Sequence, residues 1–153
     1  MALSSATISA AIAALTVSGV TIKDISSMPT KISSRDCPIM FPSPNEWKAG
    51  GTGEPTTGST TFGTPTTRMW LFNRTYKYIY LHAMAGEGRT IAEHYTAMSA
   101  KEDLILTALV ALDVADVDVM QIQTAEYGIK QDPAGAEFFG LTVTITLREK
   151  VNP

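Results

Sequence analysis

Residues 68 to 83, RMWLFNRTYKYIYLHA, decide the fold. Their even positions carry Arg68, Trp70, Phe72, Arg74, Tyr76, Tyr78, Tyr80 and His82. The odd positions include Met69, Leu71, Ile79, Leu81 and Ala83. Side chains alternate across a strand, so this segment has an aromatic face and an aliphatic face. It reads as one central strand or as a hairpin turning near Asn73-Arg74. A strand with two such faces normally has a core on one side, and the pattern leaves open which. The Tyr-rich face suits either a second internal layer or a partly wet contact, because tyrosine joins an apolar ring to a polar tip.

On the C-terminal side, Ala85-Gly86-Glu87-Gly88 breaks the strand. Thr90 with Glu93 and Ser99 with Glu102 both have capping-box spacing, so Thr90 to Asp113 holds one kinked helix or two consecutive ones. Ile105, Ala108, Leu109 and Leu112 form its core stripe. Val117 to Thr124 is a strand, and Asp132-Pro133-Ala134-Gly135 is a turn. Phe139, Leu141, Val143, Ile145 and Leu147 then alternate with Gly140, Thr142, Thr144, Thr146 and Arg148, the clearest amphipathic strand in the chain.

On the N-terminal side, Ser4 and Ser5 can cap a short helix carrying Ile8, Ile12 and Leu15 and ending near Ser18-Gly19. Val20 to Ile25 is a short strand or connector, and Cys37 to Phe41 is a strand closed by Pro42 and Pro44. From Gly50 to Thr67 every residue except Glu54 and Phe62 is Gly, Thr, Pro or Ser. This composition predicts a flexible loop, either a linker or an arm that orders against a neighbouring subunit. Tight turns between strands favour an antiparallel sheet. The expected fold is therefore one α+β domain over 1–153, a mostly antiparallel sheet with helices packed on one face.

Composition narrows the function classes. The chain has 153 residues, 44% of them apolar, and a formal charge of −3. It can bury a core, and it has no charge pattern that asks for nucleic acid. No Lys or Arg precedes Lys23 and no apolar run reaches a membrane-spanning length, so the chain is expected to be soluble, uncleaved and free of membrane contact. Cys37 is the single cysteine, which excludes an intrachain disulfide and suits a reducing compartment. His82 and His94 lack metal-ligand spacing. Gly86-Glu87-Gly88-Arg89-Thr90 lacks the Lys-Ser/Thr ending of a phosphate loop. Asp113, Asp116 and Asp118 lack the calcium-loop pattern, and the Asn73-Arg74-Thr75 sequon has no secretion signal beside it. No nucleophile elbow occurs. No catalytic, metal or cofactor site is expected, and no enzymatic activity.

The order of elements resembles that of the neck and tail-completion proteins of tailed bacteriophages, in particular the tail terminator family. The resemblance rests on Ser5-Ala-Thr-Ile-x-x-Ala-Ile-x-Ala-Leu15, Thr16-Val17-Ser18-Gly19-Val20-Thr21 and Cys37-Pro-Ile-Met-Phe-Pro42. It continues through the polar loop, Arg68 to Ala83, Gly86-x-Gly88-Arg89 and Phe139-Gly-Leu-Thr-Val-Thr144. It implies a structural virion protein, made in the host cytoplasm, that forms a homo-oligomeric ring, commonly a hexamer. Such a ring caps the tail tube and joins it to the head connector, so its partners are tube protein and a neck protein. Another neck component, a stopper or head-tail joining protein, and a small ligand-binding domain are the competing readings. Contact residues expected for the assembly are Glu54 and Phe62 in the loop and Trp70, Tyr76, Tyr78 and Tyr80 on the aromatic face, since aromatic side chains concentrate at interface centres.

Overall fold

A computed structural model describes residues 5–44, 52–55, 70–86 and 90–151. The element order is α1 (Ser5–Ala13), β1 (Thr21–Ile22), a 3-10 turn (Ile25–Ser27), β2 (Ile39–Pro42), β3 (Thr52–Pro55), β4 (Trp70–Met84), α2 (Ile91–Val110), β5 (Val117–Gln131) and β6 (Glu137–Val151). The strands form a sheet in the order β1-β2-β4-β6-β5, with β3 pairing β4 beside β2. Every pairing is antiparallel except β1 with β2. This is the expected α+β fold.

The segment 68–83 becomes one continuous strand, not a hairpin. Asn73 and Arg74 pair straight across to Arg148 and Leu147 of β6, so the chain does not turn there. β4 is central because it has partners on both edges: β6 along its length, β3 at its start and β2 near its end.

Burial settles which face of β4 carries the main core. Tyr76, Tyr78 and Tyr80 are fully buried and form the main core with Leu141, Val143, Ile145 and Leu147 of β6, Met40 of β2, Ile8 and Ile12 of α1, and Ile105 and Leu109 of α2. Both helices cover this face. The ring of a tyrosine is apolar enough for such a core provided its hydroxyl finds a partner. Tyr76 does so by donating to Glu149 Oε1 at 2.9 Å, and the Tyr80 hydroxyl lies 2.8 Å from His82 Nδ1. The opposite face carries a smaller cluster of Ile32, Ile39, Phe41, Leu81 and Phe138, with Met28 and Cys37 packed against it from the β1–β2 connection. That connection is pinned where the Ile32 N–H donates to the buried Asp132 carboxylate at 2.9 Å.

Several boundaries differ from the sequence expectation. α1 stops at Ala13, before Leu15, and Gly19 takes its positive φ of 73° in the turn that follows. α2 is a single helix, so Ser99 sits in its interior and does not start a second one. Thr90 does open it, with its N–H donating to Glu93 Oε2 at 2.9 Å. Thr52 to Pro55, expected as loop, is strand β3. The remainder of the Gly50–Thr67 loop lies outside the described residues.

β5 runs to Gln131, well beyond Thr124, because two irregularities absorb its changes of phase. Its register against β6 shifts between Val119 and Gln121 and again between Ala125 and Gly128. An extra residue at a bulge flips the parity of everything after it. The residues packed on the helix-covered core are therefore Val117, Val119, Ile122 and Tyr127, a spacing that a single period of two cannot follow.

Candidate assembly interface

α2 lies over the sheet with two stripes at work. His94, Met98, Ile105 and Leu109 point into the chain and are buried. Tyr95, Glu102, Leu106 and Val110 recur at i, i+7, i+11 and i+15 and meet β5 along a seam. At one end the Tyr95 and Tyr127 rings lie 5.6 Å apart. In the middle the Thr124 hydroxyl donates to Glu102 Oε1. At the other end Leu106 and Val110 face Val119, Met120, Gln121 and Ile122 across a groove of about 400 Å³. Among the described lining residues, Gln121 is the one polar side chain.

This seam is also the outer margin of the sheet. β5 is the terminal strand, and no described strand pairs with its outer side. An edge strand presents a row of unpaired backbone donors and acceptors, which another chain can extend. The bulges interrupt that row, and Asp118 and Lys130 place charges near its two ends. Between the bulges, Gln121 to Ala125 keeps regular register with Thr146 to Thr142 of β6. Large apolar side chains flank this stretch in the open: Val110 is 71% exposed, Met120 47% and Ile129 50%.

The opposite edge offers much less. β1 has two residues and β3 four. Trp70 is 39% exposed at the start of β4, where its ring stacks on Phe72 at 6.3 Å. Arg74 lies over the other part of that aromatic group, 5.6 Å from the Phe72 centroid. Its guanidinium pairs with the buried Glu149 at 3.0 Å, so Arg74, Tyr76 and Glu149 close the lower end of the core as one polar network.

The contact residues expected from sequence divide accordingly. Tyr76, Tyr78 and Tyr80 belong to the core and are not open to a partner, because both helices lie on their face. Trp70 is exposed. Glu54 falls in β3, opposite Leu71. Phe62 lies outside the described residues. Val110, Met120 and Ile129 went unnoticed in the sequence. Their signal was available only in the combination of a terminal strand with its neighbouring helix.

Reactive chemistry is sparse. Among the described residues no three or more His, Cys, Asp or Glu side chains converge as a metal site. Burial, and then the charge of Asp36, pushes the Cys37 thiol up to about 11, which leaves it protonated and inert near neutrality. No described helix is long and apolar enough to cross a membrane. No family model and no curated protein matches this chain.

Proposed function

We propose that this chain is a structural subunit that assembles with copies of itself into a closed ring, in the part of a tail terminator on the tube of a tailed phage. The observation that carries the assembly reading is the terminal strand β5, with a regular stretch at Gln121–Ala125 and exposed apolar side chains at Val110, Met120 and Ile129 beside it. A contact that joins this edge to a different surface of the next copy is heterologous, and heterologous contacts close into rings when the rotation permits. The terminator part of the reading rests on the order of elements and on the resemblance stated above. The described lining of the groove between α2 and β5 is apolar but for Gln121, which supports a packing surface over a ligand site.

The experiment is the solution mass of the purified protein by light scattering, alone and with tail-tube protein, for the natural chain and for a Val110→Asp/Met120→Lys variant. A closed ring of about six copies, alone or on the tube, that is lost in the variant is the expected result. A natural chain that stays monomeric and ignores the tube refutes the reading. Rings unaffected by the two charges refute the placement of the interface on the β5 edge.

A further inference from the structure

The chain has two histidines, and they meet. His82 comes from β4 and His94 from the first turns of α2. Their rings are 5.5 Å apart in an edge-on arrangement, and His94 in turn lies 5.2 Å from the Phe139 ring of β6. His94 is buried and His82 is half-buried, so the pair is a piece of the helix–sheet contact that solvent protons can still reach.

Further along, Lys101 Nζ donates to the Ser18 carbonyl at 2.7 Å and Glu102 holds Thr124. Among the described residues, the half of α2 from Ile91 to Met98 shows no such polar tie to another element. It is held by the histidine pair, by Phe139, by the Tyr95–Tyr127 contact and by buried Met98.

We infer that the His82–His94 pair is a pH-sensitive latch that seats the N-terminal half of α2 on the sheet at neutral pH and releases it on acidification. In the neutral tautomer that leaves Nδ1 unprotonated, His82 accepts the Tyr80 hydroxyl, and its ring packs against His94. A proton arriving at Nδ1 makes both partners donors, so the Tyr80 hydroxyl must rotate or break away. The new cation then faces His94 and Lys101 from α2. It also lies near the positive end of that helix. Tyr80 from β4 and Phe139 from β6 are neutral, and Cys37, which adjoins Tyr80 from the β1–β2 connection, stays a thiol. Glu93 is turned to the Thr90 N–H, and no described carboxylate offsets the cation. Burial, followed by His94 and then Lys101, accordingly holds His82 below the usual imidazole range.

The sign follows from linkage. A histidine whose folded pKa is depressed stabilises the folded state above its unfolded value near 6.5, and that contribution is lost as pH falls through the folded value. Each pKa unit of depression corresponds to about a tenfold shift in the opening equilibrium.

The test is amide hydrogen exchange of the full chain at pH 7.5 and pH 5.5, corrected for intrinsic rates, together with NMR titration of the two imidazole rings. The expected result is protection of Ile91–Met98 falling several-fold, to a ceiling of about tenfold, at pH 5.5 while β6 changes less than twofold, with His82 titrating below 6.5. His82→Gln keeps an acceptor for Tyr80 but cannot be protonated, and it should hold equal protection at both pH values. If that variant does not fold, His94→Phe, which retains the ring contact with Phe139, should cut the pH dependence and move His82 back toward 6.5. Equal protection of Ile91–Met98 at both pH values in the natural chain overturns the proposal. So does a His82 that titrates at or above 6.5, or a pH response that survives intact in His82→Gln.

Discussion

Replacing Arg74 by Met tests the polar network at the lower end of the core. Glu149 is 1% exposed, and its two oxygens are taken by the Tyr76 hydroxyl and the Arg74 guanidinium. Methionine fills a similar volume but leaves the carboxylate buried with the Tyr76 hydroxyl alone. Removing one partner of a buried pair costs about 3–5 kcal/mol, because the remaining charge is uncompensated. The cation–π contact with Phe72 adds about 0.5–1 kcal/mol at a site this close to the surface. With a urea m-value of about 2 kcal/mol/M, the midpoint should fall by about 2 M. The decisive comparison is the double variant Arg74→Met/Glu149→Met, which removes both charges and leaves one buried hydroxyl to satisfy. Its midpoint should lie well above that of the single variant, since apolar replacement of a buried pair is often close to neutral. Urea titrations followed by far-UV circular dichroism give both numbers. An Arg74→Met loss below about 1 kcal/mol, or a double variant no more stable than the single one, would refute the view that Arg74 compensates the buried Glu149 side chain.

Three further outcomes follow from individual residues. A Cβ added at Gly140 would stand 2.0 Å from the Tyr80 carbonyl oxygen, which is backbone and cannot move aside; Gly140→Ala should therefore part β4 from β6 and cost about 3 kcal/mol, read from thermal unfolding. Burial, then the Glu149 bond, pushes the Tyr76 hydroxyl up to about 12, above its unfolded value near 10; this contribution is complete below pH 10 and is lost as pH rises towards 12, so ultraviolet titration should show tyrosinate appearing late and together with unfolding. The Cys37 thiol, raised to about 11, should react with a disulfide reagent at pH 8 at least tenfold more slowly in the folded chain than in urea, and an equal rate would contradict its burial.

Much of the architecture was legible in the order of residues. Period-two runs at 68–83 and 139–147 marked the two central strands, and Asp132-Pro133-Ala134-Gly135 marked the turn that joins β5 to β6. Thr90 and Glu93 marked the start of α2. These are local signals, set by side-chain alternation, turn chemistry and capping within a few residues. Whether 68–83 ran straight or turned near Asn73-Arg74 was left to the pairing with β6, where Asn73 and Arg74 lie opposite Arg148 and Leu147.

Which face of β4 became the core could not be read locally. Both faces are apolar enough to bury, and the choice fell to the tyrosines because both helices pack on that side and because Glu149 and His82, distant or offset in sequence, meet two of the hydroxyls. The full length of β5 was hidden for a related reason. Two bulges shift the parity of its inward residues, so Val119, Ile122 and Tyr127 share a face that no fixed period predicts. The candidate interface is a tertiary property as well: Val110 and Met120 become neighbours only when α2 crosses the last strand of the sheet. Local sequence thus determined the kinds of elements and their order, through interactions that span one turn or one pleat. Packing alone decided which surfaces were left open, because burial is a contest among all the apolar faces at once.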